Sequence, residues 1–362
     1  MIDRASYSSK FDMCFFPNDN KPNHFRALDG IRGLAVICVL LSHASRKDIF
    51  LFPGLHFEGF GKIGVYLFFV LSAYLLDRQI TLKLRSGEGN LKYWSEYLVK
   101  RFLRIYPLYI VALLTYWILS KFGIGTKIDN IADIAYHLIL VKGEGLFWSI
   151  PVEFIYYLIS PIILLGFQLL FKWKVPSITV TIILISLGTI CFDYNTSLSE
   201  ISTIKHLPIF FIGTLISVLE VLRKNLITDN FNKTVIDTLG ILALIIIFLV
   251  FNPSTFNIFF AGHLKNSDSL LFIPIACLWG IVLLSAKYGS VVTTFFEYKP
   301  LRFVGVISFS VYLFHLIILN FVNRIPVISE IKFYVFFVLV LICASITYLF
   351  IERKISKLKI KF

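Results

Sequence analysis

The sequence predicts an all-α polytopic membrane protein of about ten transmembrane helices. Three observations carry this. Of 362 residues, 57% are hydrophobic and only 16% charged, and the mean hydropathy is +0.80. A soluble chain of this length has no interior large enough to hide so much apolar surface. The apolar residues fall in long runs of roughly 17–25 residues, the length that carries a helix across the hydrocarbon core. The basic residues, which give a net charge of +13, sit in short segments between those runs. That is the positive-inside pattern and not the basic face of a nucleic-acid binder. The aromatic share of 16%, with 37 Phe, suits lipid-facing and interfacial positions.

In order, the expected spans run near 28–46, 61–78, 99–120, 146–171, 176–192, 204–221, 234–251, 270–286, 304–323 and 331–351. Residues 1–24 are polar and read as an N-terminal tail, 25–352 as the transmembrane domain and 353–362 as a basic tail. No cleavable signal peptide is expected, because the first apolar run is a full span with Arg26 and Arg32 at its start. Placing the N-terminus inside puts most of the 35 Lys and Arg on that side, so both termini are expected in the cytoplasm. The outer segment 121–145 contains IADIAYHLIL, which reads as a short helix at the outer interface. The five cysteines are scattered without metal-ligand spacing, so neither a metal nor a disulfide framework is expected. No internal repeat, low-complexity stretch or second soluble domain is visible.

Ionisable groups in or beside a span are costly and commonly mark working sites. The first span opens with Arg26, Asp29 and Arg32 and ends with His43. Arg32 and His43 lie about 16 Å apart along a helix, roughly half the hydrocarbon thickness. The span therefore carries a cation towards one side and a titratable base towards the other. Snorkelling at one interface and a polar cap at the other is the bland alternative. Arg101 and Arg104 share one helix face at the start of the third span, ahead of a kink expected at Pro107. They suit a phosphate-bearing ligand or plain membrane anchoring.

Trp148 and Glu153 open the fourth span. Trp148 at an interface is unexceptional. A carboxylate 1.5 turns inside an apolar helix needs a partner, and His43 on the same side is a candidate. Such a pair would suit a general base; a structural hydrogen bond is the alternative. Asp29 is expected to pair with Arg26 or Arg32. His315, midway along the ninth span, is a packing residue or a functional one. Ser72, Tyr74, Ser308 and Tyr312 are explained by helix–helix hydrogen bonds. His24, His56, His137, His206 and His263 receive no role.

Five segments in this order resemble the acyltransferase family 3 membrane proteins, many of which acetylate bacterial surface and secreted glycans. They are ALDGIRGLAVICVLLSH at 27–43, GKIGVYLFFVLSAYLL at 61–76, YLVKRFLRIYPLY at 97–109, LFWSIPVEFIYYLISP at 146–161 and FVGVISFSVYLFHL at 303–316. The resemblance implies a catalytic His43 paired in motif with Arg32. It assigns Arg101 and Arg104 to acyl-CoA binding and places Trp148 and Glu153 in a Trp–x4–Glu motif. The chain departs from the family at Ser72-Ala73-Tyr74, where Ser-Gly-Phe is usual, at Tyr66, often acidic, and at Pro151, usually small. The hydrolase-like domain fused to some longer relatives is not expected in this chain.

The expectation is then an enzyme that moves an acetyl or other acyl group to a glycan hydroxyl. The acceptor would be O-antigen, capsule, exopolysaccharide or a lipid-linked glycan. Acetyl-CoA enters as the donor substrate, with no permanently bound cofactor. The expected surroundings are the lipid bilayer of a bacterial inner membrane, with a homo-oligomer as an option and no nucleic acid. A polysaccharide transporter, flippase or polymerase is the competing class. Against it stand the missing inverted repeat and an outer loop of only about 25 residues.

Overall fold

The computed structural model describes residues 10–17, 19, 24–51, 55–123, 128–223, 232–259 and 268–357, the side chains of 257–259 excepted. His263, Lys224 and the end of the basic tail lie outside these residues. The described secondary structure is helical throughout. Eight helices are long and apolar enough to cross a membrane. The pair Lys299–Val306 and Ser308–Asn323, bent by 77° at Ile307, makes nine if it is counted as one broken span.

The helix Lys233–Leu249 has 17 residues, about 25 Å at 1.5 Å per residue, a little short of the hydrocarbon thickness. Contacts near its two ends tie it to different parts of the chain. At its start, Asp237 accepts backbone N–H bonds from Ser290, Val291 and Val292 at 2.9–3.0 Å. Just beyond its end, Asn252 donates to the carbonyl of His56, in the segment that follows His43. The N- and C-terminal segments meet at a single end of the bundle. Arg353 donates to the Met13 carbonyl at 3.1 Å, and Phe15 stacks on Tyr348 at 5.6 Å. Ten spans are expected from the sequence, whereas eight or nine helices among the described residues are long and apolar enough to cross.

Helix boundaries differ from the sequence expectation where charged ends project past the apolar run. The second span continues to Arg85, and the third starts at Leu91. Lys83 and Arg85 complement the carbonyl end of the first of these helices, while Asn90 caps the second by accepting from the N–H of Tyr93 at 2.9 Å. The third span continues as one helix through Pro107. The short helix expected within 121–145 is present at Ile131–Leu138, closed by a reciprocal capping box between Asn130 and Asp133.

The expected ninth span is the element most altered by packing. Its first arm lies across the base of the Arg26–Ser45 helix. A Cβ on Gly305 would overlap the Asp29 carbonyl oxygen, and one on Gly30 would overlap that of Phe296. Glycine at these positions lets backbone touch backbone, and so gives the DGIRG segment a packing function. The tenth span ends in a π turn, Tyr348–Glu352, which carries Glu352 into the interior.

Candidate functional site

Two cavities lie within the bundle and share two wall residues, Val65 and Tyr312. The first, of about 210 Å³, is lined by Arg32, Arg101, Arg104, Ser72, Glu153 and Tyr157. The second, of about 870 Å³, is lined by His43, Trp148, Arg46, Lys62, Glu144 and Glu200. The first span thus contributes its arginine to one chamber and its histidine to the other.

The three arginines are held differently. Arg104 donates to Glu352 at 2.7 Å and sits over the Phe309 ring at 5.5 Å. Glu352 also accepts from Ser310 at 2.5 Å, which fixes that carboxylate. Arg101 rests 5.8 Å from the ring centres of Tyr97 and Tyr157, and its buried Nε makes no hydrogen bond. A guanidinium near two ring faces with an unpartnered Nε is suited to an anion. Arg32 reaches Asp29 only at 4.0 Å.

Glu153 faces this arginine chamber. It accepts from Ser72 and from Tyr157, the latter at 2.5 Å. The expected pairing of Glu153 with His43 is therefore corrected: the two side chains line different chambers. On a helix, four residues bring Tyr157 back over Glu153, and these local donors meet the need that sequence reasoning assigned to the imidazole.

In the other chamber, the His43 ring lies 5.0 Å from that of His315, tilted by 47°. His315 is fully buried. Its Nδ1 faces the Tyr312 carbonyl at 2.7 Å, so that nitrogen carries the proton, while Nε2 makes no hydrogen bond. Trp148 packs edge-on against Phe69 at 5.9 Å and beside His206 at 5.2 Å, with the Lys62 ammonium 5.8 Å from its ring centre. His206, given no role from the sequence, is fully buried and has the same arrangement: Nδ1 at 3.0 Å from the Ser202 carbonyl and Nε2 without a hydrogen bond. At the rim, Glu200 binds Lys62 at 2.8 Å and Lys205 at 3.0 Å. Burial pushes this carboxyl up, but the hydrogen bonds and charge of the two lysines outweigh burial and hold it below the usual carboxylate range.

Asp29 belongs to a cluster at the arginine end. It contacts His24 at 3.1 Å and Arg302 at 3.5 Å, while Arg26 pairs with Asp19 instead. Arg302, nearly fully buried, also binds Asp19 through both terminal nitrogens. Ligand-type atoms of Asp19, His24 and Asp29 lie within 4.8 Å of one another, but the Arg302 guanidinium already bridges the two carboxylates. Sequence reading passed over two further buried carboxylates. Asp77 accepts from Tyr156 and Thr214 at 2.6 Å and from Ser160. Glu220 binds Tyr74 at 2.6 Å, Arg78 at 2.8 Å and Lys287 at 2.5 Å. A single acidic residue inside each apolar run was the available signal.

Residues 25–353 match an acyltransferase domain, that of acyltransferase family 3. A Staphylococcus aureus (strain COL) protein provisionally named an O-acetyltransferase is 27% identical over 96% of this chain and 59% of its own length. O-acetyltransferase OatA of Staphylococcus aureus (strain NCTC 8325 / PS 47) is 25% identical over 93% of this chain and 58% of its own. The chain therefore spans 59% or less of these curated relatives. No solved structure matches.

Proposed function

We propose a reaction for this chain from one premise: it belongs to the membrane acyltransferase family 3. The reaction is transfer of an acetyl or other acyl group from acyl-CoA to a hydroxyl of a surface or secreted glycan. The carrying observation is the pair of abutting chambers, one lined by three arginines and the other by His43. The names of the relatives support the O-acetyl chemistry.

In this reading both termini face the cytoplasm of a bacterial inner membrane, and the donor enters from the arginine end. Arg101 and Arg104 meet its phosphates, with Arg32 deeper in the chamber. The chamber, at about 210 Å³, is below the roughly 300–1,000 Å³ usual for drug-sized ligands, so it takes the arm of the donor and not its nucleotide. Glu153, held by Ser72 and Tyr157, balances the guanidinium charge and keeps this wall in place.

The thioester then reaches the Tyr312 level, and a glycan hydroxyl approaches through the His43 chamber. His43 takes the hydroxyl proton as oxygen attacks the thioester carbon. The C–S bond breaks, a C–O bond forms, and the proton returns from His43 to the CoA thiolate. His315 keeps His43 in orientation, and Trp148 offers the sugar an apolar wall.

The experiment is base-labile O-acyl content of the cell-surface glycan, read by NMR in a deletion strain carrying wild type or His43→Ala. Ester signal restored by wild type alone is the expected result; signal restored equally by both ends the His43 scheme. The competing transport reading draws on the same end-to-end chambers. It predicts altered glycan export with unchanged esterification and no acyl-CoA consumption.

A further inference from the structure

Among the described residues, Tyr312 is the one aromatic residue in the walls of both chambers, with Val65 the other shared residue. Its hydroxyl donates to the carbonyl of Leu146, a wall residue of the His43 chamber, at 2.5 Å. The same oxygen lies 2.8 Å from Oγ of Ser149, a wall residue of the arginine chamber. The phenol is thereby anchored on the boundary itself. One turn further along, His315 binds the Tyr312 carbonyl and lies against His43.

From this placement we propose that Tyr312 is the partition that determines whether the acyl group goes to a glycan hydroxyl or to water. The inference rests on the acyl-CoA reading above and extends it. A thioester exposed to a wide, solvated chamber is open to hydrolysis. The water oxygen attacks the carbonyl carbon and the C–S bond breaks. The thiolate takes one water proton, and acetate leaves with release of the other. A closed site excludes water from reactive groups until the intended nucleophile is present. The His43 chamber is about four times larger than the arginine chamber, and Tyr312 and Val65 are the wall residues the two share.

The test uses the full chain in lipid nanodiscs with acetyl-CoA alone and no glycan, reading free thiol release and acetyl-CoA binding. Wild type releases thiol slowly, and Tyr312→Phe, which keeps the ring but loses its anchoring hydroxyl, falls between wild type and Tyr312→Ala. Tyr312→Ala that still binds acetyl-CoA releases thiol about tenfold faster, and Val65→Ala shows a smaller rise. Adding His43→Ala to Tyr312→Ala returns release towards the wild-type rate, because the leak runs through the His43 chamber. Thiol release at the wild-type rate from Tyr312→Ala that still binds acetyl-CoA overturns the partition and leaves the donor site standing. Wild type that binds no acetyl-CoA overturns the donor reading itself, and the partition with it. Where Tyr312→Ala does not fold, Val65→Ala decides, and a rate equal to wild type counts against the proposal.

Discussion

The imidazoles of His43 and His315 face each other across 5.0 Å, one half-buried and the other sealed in the bundle. His315 has its Nδ1 proton committed to a backbone carbonyl, so the lone pair on Nε2 is unspent. In the proposed reaction, His43→Ala lowers acyl transfer by about 10²–10⁴-fold, the usual contribution of a general base, with acetyl-CoA binding preserved. His315→Ala costs less, about tenfold, in kcat and not in KM. Steady-state kinetics with purified protein check both. A His315→Ala effect on KM alone would contradict an orienting role.

Arg101 and Arg104 separate by stability. Removing Arg104 leaves Glu352 buried without its cation, whereas Arg101 makes ring contacts and its Nε has no hydrogen bond. Both Ala variants weaken acetyl-CoA binding, about tenfold each. Only Arg104→Ala lowers the unfolding temperature, and Glu352→Gln in the same chain recovers part of it. Calorimetry and equilibrium binding on the same samples distinguish the two residues; equal destabilisation would refute the assignment.

Gly305→Ala forces a methyl group into the Asp29 carbonyl. Overpacking of this kind costs about 1–3 kcal/mol, more where backbone must separate. Gly188→Ala, where a Cβ meets nothing within 4 Å, is the control and is neutral or stabilising. Denaturation in mixed detergent gives the comparison.

The Glu200 carboxyl sits below its ordinary range in the folded protein, so its contacts with Lys62 and Lys205 stabilise above the unfolded carboxylate value of about 4.3. That contribution disappears as pH falls through the lower folded value. Wild type is therefore more stable than Glu200→Gln at pH 6, and the gap closes towards pH 3. A gap that widened on acidification would contradict the direction.

Much of the architecture was legible because spans are written in continuous hydropathy, and His43, Arg32, Arg101 and Arg104 were visible as charges interrupting it. Their partners were not. Whether Glu153 meets His43 or Ser72 depends on helix rotation and depth, which composition does not encode. The bend at Ile307 is equally silent in sequence, since FVGVISFSVYLFHL reads as one apolar run. Asp77 and Glu220 were available to the same reasoning that found Glu153; their hydroxyl and lysine donors come from helices distant in sequence.

The 77° bend has an evolutionary consequence. One arm of this element is wedged against the backbone at Asp29 and Gly33, while the other carries Tyr312, in the walls of both chambers, and His315, against the His43 ring. The two arms meet at Ile307. A substitution that shifts the first helix at Gly30 or Gly33 is transmitted to the spacing of His43 and His315 without touching either. Residues 29–43 and 301–316 are therefore bound to drift as a unit: a homologous swap of one segment alone inherits the bent element of one lineage and the seat of another.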